Sequence, residues 1–223
     1  ELLLRCHAES LKGIGPDVFI PIAEEYDLIK SIDLWVIEAC FKQIAKERSF
    51  LAQRDMVFCI NISALELHNF GFSKKLETLI KLYQITPSSI ELEITESVIM
   101  ENAEHSISIM KKLKDMGFAL AIDDFGTGYS SLSYLKKFPI DTLKVDQAFV
   151  RNIESDNKDK SIVRAIIDLA KHLDLKTVAE GVETQGQWHF LKDLECDYIQ
   201  GYLFSKPDSI EHLTSQKNGF IYQ

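Results

Sequence analysis

The sequence predicts an α/β fold of repeated strand–helix units, and among such folds a (β/α)8 barrel of the TIM type. Three observations predict it. Short apolar runs rich in strand formers alternate with longer segments of helical spacing. No G-x-G-x-x-G or G-x-x-x-x-G-K-[ST] marks the chain as an open nucleotide-binding sheet. Polar side chains recur late in nearly every strand, the end at which such barrels carry their chemistry.

The strands, in order, are "ELLLR", "MVFCINIS", "SIELEIT", "FALAID", "DTLKVD", "KTVAEG" and "YIQGYLF". Between them, three segments carry apolar residues on one helical face: Leu34, Ile37, Phe41 and Ile44; Ile107, Met110 and Leu113; Ile162, Ile166, Leu169 and Leu173. Gly126 and Gly128, Pro139 and the polar run "ESDNKD" mark connections. The chain opens on Glu1 inside an apolar run, so the expectation is eight strands with the first one missing at the N-terminus. No linker interrupts residues 1–223, which read as a single domain truncated at that end.

Composition narrows the function. With 34 acidic and 25 basic side chains the formal charge is -9, which argues against a nucleic-acid polymer as partner. The cysteines, Cys6, Cys40, Cys59 and Cys196, form no C-x-x-C pair and read as reduced thiols of a cytoplasmic domain. The histidines show no zinc-binding spacing. No apolar run reaches the length of a membrane span.

The polar residues late in the strands are Asn61, then Glu93 and Glu96, Asp123 and Asp124, Lys144 and Asp146, Glu180 and Glu183, and Gln200. Carboxylates converging on one centre raise each other's pKa unless protons or cations intervene. An all-oxygen set without clustered His or Cys favours Mg²⁺ or Mn²⁺. Side chains of adjacent strand residues point apart, so Asp123 and Asp124 are expected where the strand ends, serving two neighbouring cations. Glu66, Glu91, Glu101 and Asp141 read as solvated face or loop residues.

Together these segments resemble the EAL domain, the family of bacterial cyclic di-GMP phosphodiesterases. The similarity lies in E-x-L at "ELLLR", in "FIPIAEE", "NIS", "EITE", "DDFGTGYSSLSYL", "KVD", "AEGVET" and "DYIQGYLFSKP", and runs from Glu1 to about Pro207. The resemblance implies a modified (β/α)8 TIM-type barrel whose first strand precedes the E-x-L strand. It implies that Glu1, Asn61, Glu93 and Asp123 bind one Mg²⁺ or Mn²⁺, and Asp123, Asp124 and Glu180 a second. Lys144 would lie near the attacking water and the scissile phosphate, Glu180 would also act as general base, and Gln200 would help to order the site. Arg5 would meet a phosphate, and Glu96 would anchor the "DFGTGYSSL" loop, which couples metal and substrate binding to dimer contacts.

The implied activity is hydrolysis of cyclic di-GMP to linear pGpG; the alternative is a non-catalytic cyclic di-GMP receptor. A homodimer is implied, as is an upstream sensor, diguanylate cyclase-like domain or membrane anchor. Four positions depart from the family pattern: Cys6 stands where Trp is common, Gln147 where Arg is common, and Asp27 and Glu195 where Gly is common.

Overall fold

The computed structural model describes residues 1–6, 13–48, 56–128 and 132–209. The chain divides into two compact units, one of residues 1–94 and 98–120, the other of 95–97 and 121–223.

In the first unit, α1 (Pro16–Glu25) begins with proline at its first turn, where a missing N–H costs nothing. The longest helix here, α2 (Ile29–Lys46), buries Ile37 and Phe41 completely and packs on α1 and on β1 (Phe58–Asn61). It also supports α3 (Ala64–Leu67) and α4 (Phe72–Tyr83). β1 pairs in parallel with β2 (Ile90–Thr95), from Phe58 opposite Ile90 to Asn61 opposite Glu93. β2 is buried along five of its six residues, as expected of a parallel strand covered on both faces. After α5 (Glu96–Glu101), α6 (Ala103–Asp115) starts where the Asn102 side chain accepts the His105 amide, and it buries Met110 and Leu113 as the periodicity predicts.

In the second unit, β3 (Ala119–Phe125), β4 (Thr142–Val145), β5 (Lys176–Ala179) and β6 (Tyr198–Ile199) pair in parallel in chain order. A short α7 (Leu132–Leu135) precedes β4. α8 (Gln147–Val150) follows β4, with the Asp146 carboxylate capping its Ala148 amide at 2.6 Å. α9 (Asn157–His172) packs on β4, β5 and α8. A reciprocal capping box between Thr184 and Gln187 opens α10 (Gln185–Asp193).

The structure corrects the sequence reading in three places. Residues 1–6 form no strand; Leu2 lies beside β1 through its amide, which donates to the Cys59 carbonyl at 2.9 Å. Six strands are therefore described rather than seven. The inward face of α9 is Val163, Ile166, Ile167 and Ala170, and Ile162 is exposed, because the helix turns its stripe by one residue relative to the spacing chosen from sequence. Glu66 and Glu91 are buried rather than solvated: Glu66 accepts from the Asn69 side chain, and Glu91 accepts from the Cys59 thiol. No helix among the described residues is long and apolar enough to cross a membrane.

Candidate metal centre

The geometry begins with a departure from regular strand. β3 runs on to Phe125, beyond the carboxylates where the sequence suggested that it ends, but its pairing to β4 shifts register between Ile122 and Phe125. Within that bulge Asp124 takes φ 55°, left-handed backbone that costs an ordinary residue about 1–2 kcal/mol. Two adjacent side chains that a flat strand would send to opposite faces are thereby turned together. Oxygens of Asp123, Asp124 and Glu180 all lie within 4.8 Å of one another.

Lys144, on β4, joins this group. Its ammonium lies 2.7 Å from Glu180 Oε1 and 3.3 Å from Asp123 Oδ2, and the residue is only 1% exposed. The Asp124 carboxyl is pushed up to about 7, first by burial, then by its hydrogen bond with Asp146 and by the charges of Asp123, Asp146 and Glu180. The Asp123 side chain also accepts the Asp124 amide at 2.9 Å. Such crowding of carboxylate oxygens fits a bound metal ion.

Asp146 belongs to this constellation, and the sequence reading left it without a role. Its place just past the end of β4, two residues after Lys144, was the available signal; only the fold shows that its carboxyl meets Asp124.

The loop after β5 is held from several sides. The Glu180 amide donates to Val145 O at 3.2 Å, and buried Gln187 accepts the amides of Glu183 and Thr184. Gln200 is bound through its main chain, donating to Ala179 O at 2.9 Å and accepting from Val182 N at 3.0 Å. The next residue, Gly201, lies so close to the Val182 peptide that a Cβ would overlap its carbonyl and amide. Glu96 is 1% exposed and accepts the Gly126 amide at 2.8 Å. Gly126 is the residue of the predicted loop "DFGTGYSSL" that bonds to Glu96, and Tyr129, Ser130 and Ser131 lie outside the described residues.

In the first unit, the Asn61 side-chain amide donates to Glu1 Oε1 at 2.9 Å, and strand register sets Asn61 opposite Glu93. Glu93 is buried, and its carboxylate groups with Glu91 and the Cys59 thiol. Arg5 is exposed, its guanidinium donating to the Leu4 carbonyl at 2.8 Å.

The model of the EAL domain family matches residues 1–207. The chain belongs to the EAL domain family. This EAL chain is 40% identical over 215 residues to the bifunctional diguanylate cyclase/cyclic di-GMP phosphodiesterase MucR of Pseudomonas aeruginosa, covering 96% of this chain and 31% of MucR. To the cyclic di-GMP phosphodiesterase NbdA of the same organism it is 37% identical over 207 residues, covering 93% of this chain and 26% of NbdA. It therefore spans about a third or less of the length of these curated relatives. Among solved structures, that of the MucR phosphodiesterase of P. aeruginosa in complex with c-di-GMP matches with a TM-score of 0.86 at 40% identity, over 90% of this chain and 81% of that one. The fold class is accordingly α/β of the TIM-barrel type found in EAL domains.

Proposed function

We propose that this EAL chain hydrolyses cyclic di-GMP to linear pGpG with the help of two Mg²⁺ or Mn²⁺ ions. The observation that carries the reading is the grouping of Asp123, Asp124 and Glu180 around the buried ammonium of Lys144. In the proposed arrangement Asp123, Asp124 and Glu180 hold one cation, and Glu1, Asn61 and Glu93 serve the other. Bound cations would lower the pKa of water and offset charge on the phosphate in flight.

The chain's own groups supply the rest. Glu180 takes the proton from the attacking water, a role for which its position at the end of β5 and its loop contacts orient it. Lys144 faces the developing negative charge with a buried ammonium held in place by its pairs with Glu180 and Asp123. Arg5 offers a planar fork of N–H donors to a phosphate, and Gln200 orders the rim. Water opens one of the two phosphodiester bonds, leaving a linear dinucleotide. Glu96 keeps the loop after β3 in place, and we propose that this loop also forms part of a homodimer contact.

Hydrolysis of cyclic di-GMP, followed by chromatography with Mn²⁺ or Mg²⁺ present, tests the reading in the full-length protein and its Glu180→Ala variant. Turnover that falls by about 10²–10⁴-fold in the variant supports it. Tight binding of cyclic di-GMP with no turnover in the wild type would replace it with a receptor.

A further inference from the structure

We propose that Lys144 sets the divalent-cation affinity of the Asp123, Asp124 and Glu180 group, because its ammonium competes for two of the same carboxylates. The inference rests on the two-cation reading above and adds to it a determinant of metal loading.

The geometry is specific. Asp123 and Glu180 are both ion-paired to Lys144, and both belong to the three-carboxylate group. A cation that gathers those three carboxylates draws on two that already neutralise a positive charge. Lys144 has little room to withdraw: it is 1% exposed, sits within the pairing of β4 to β5 opposite Val178, and its neighbours Leu143 and Val145 are fully buried. The ammonium therefore stays near the incoming ion, and in a buried setting that repulsion is poorly screened. A lysine is strongly hydrated in water and resists burial, so its place here depends on the two carboxylates beside it. The three carboxylates themselves crowd together, with ligand oxygens within 4.8 Å of one another.

A purely supporting role for Lys144 makes the opposite prediction. If the lysine only props the site, its removal disorders the carboxylates and weakens metal binding. If it competes, its removal strengthens metal binding even though catalysis is lost. The sign of the change separates the two.

Calorimetric titration of Mn²⁺ into wild type, Lys144→Met and Lys144→Gln, at mildly alkaline pH, reads that sign without any turnover. Both variants are expected to bind Mn²⁺ at least about tenfold more tightly than wild type. Their melting temperatures are expected to fall in chelator and recover in Mn²⁺, the cation taking over the neutralising role. Equal or weaker binding in the variants overturns the inference and leaves the proposed function standing. Variants that unfold in chelator should fold when millimolar Mn²⁺ is added; failure to do so also overturns it. Absence of Mn²⁺ binding in wild type and variants alike overturns both this inference and the two-cation reading.

Discussion

Glu96 Oε2 accepts the Gly126 amide at 2.8 Å, tying the start of α5 to the loop that follows β3. The bond lies next to the bulge that turns Asp123 and Asp124 together, and Gly126 has φ 101°, where a side chain would strike the Phe149 ring. A buried, charge-assisted bond at such a point holds the loop in register.

Replacing Glu96 by Ala is therefore expected to cost about 1.5–3 kcal/mol of stability, the range for a hydrogen bond to a charged group. Denaturant unfolding measures it. Glu96→Gln, which keeps an acceptor oxygen, is expected to lose less, and calorimetry should show weaker Mn²⁺ binding in the Ala variant than in the Gln variant.

Gly201→Ala places a methyl group against the Val182 peptide and forces apart the ends of β5 and β6. Turnover of cyclic di-GMP is expected to fall by about tenfold or more, since displacement of positioned groups by about 1 Å has large kinetic effects. Retained activity with an unchanged melting temperature would show that this close approach can relax.

The Asp124 carboxyl, raised to about 7 from its ordinary 3.8, gives a pH dependence with a definite sign. Its contribution to stability in chelator is fully present below pH 3.8 and is lost as pH rises through about 7. Melting temperatures in chelator should therefore fall across that window, and less so in Asp124→Asn. Mn²⁺ affinity should move the other way, strengthening as pH passes about 7, because the proton and the cation contend for one carboxylate.

Asp33 on α2 offers a second, metal-independent window. Burial pushes its carboxyl up to about 6, against the lowering effect of the Ser63 hydroxyl and amide, which donate to Oδ2 at 2.5 and 3.1 Å. Its ionisation weakens the fold as pH rises from 3.8 to about 6. Asp33→Asn keeps an acceptor for Ser63, so thermal unfolding of this variant should depend less on pH in that range than that of wild type.

Asp27 and Glu195, which stand where glycine is common in EAL domains, both take φ 57°. Each also forms an exposed ion pair, with Lys30 and Lys171 respectively, at 2.7 Å. Exposed pairs contribute about 0–1 kcal/mol, less than the strain of about 1–2 kcal/mol that left-handed backbone imposes. Glycine at either position is expected to raise the melting temperature, the relief of backbone strain outweighing the lost ion pair and the added freedom of the unfolded chain. Scanning calorimetry of Asp27→Gly and Glu195→Gly checks it.

Six of the seven strands read from the sequence, all but "ELLLR", are strands in the fold, because parallel strands covered on both faces require apolar runs and the barrel ends tolerate polar ones. Asn61, Glu93, Asp123, Asp124, Lys144, Glu180 and Gln200 could be picked out for that reason, and the motifs carried the family. The sequence could not show how Asp123 and Asp124 come to the same group. Alternation along a strand says that they diverge, and only the paired β4 strand creates the bulge and the left-handed Asp124 that reverse it. Nor could it distinguish buried Glu66 and Glu91 from solvated carboxylates, since burial is decided by neighbours distant in the chain. Lys144 shows the division most clearly: its place in "KVD" marks it from sequence, but its 2.7 and 3.3 Å contacts exist only once β3, β4 and β5 pair. Local pattern determined which residues this protein presents; tertiary pairing decided which charges share oxygens, because electrostatic coupling depends on distance in space rather than separation along the chain.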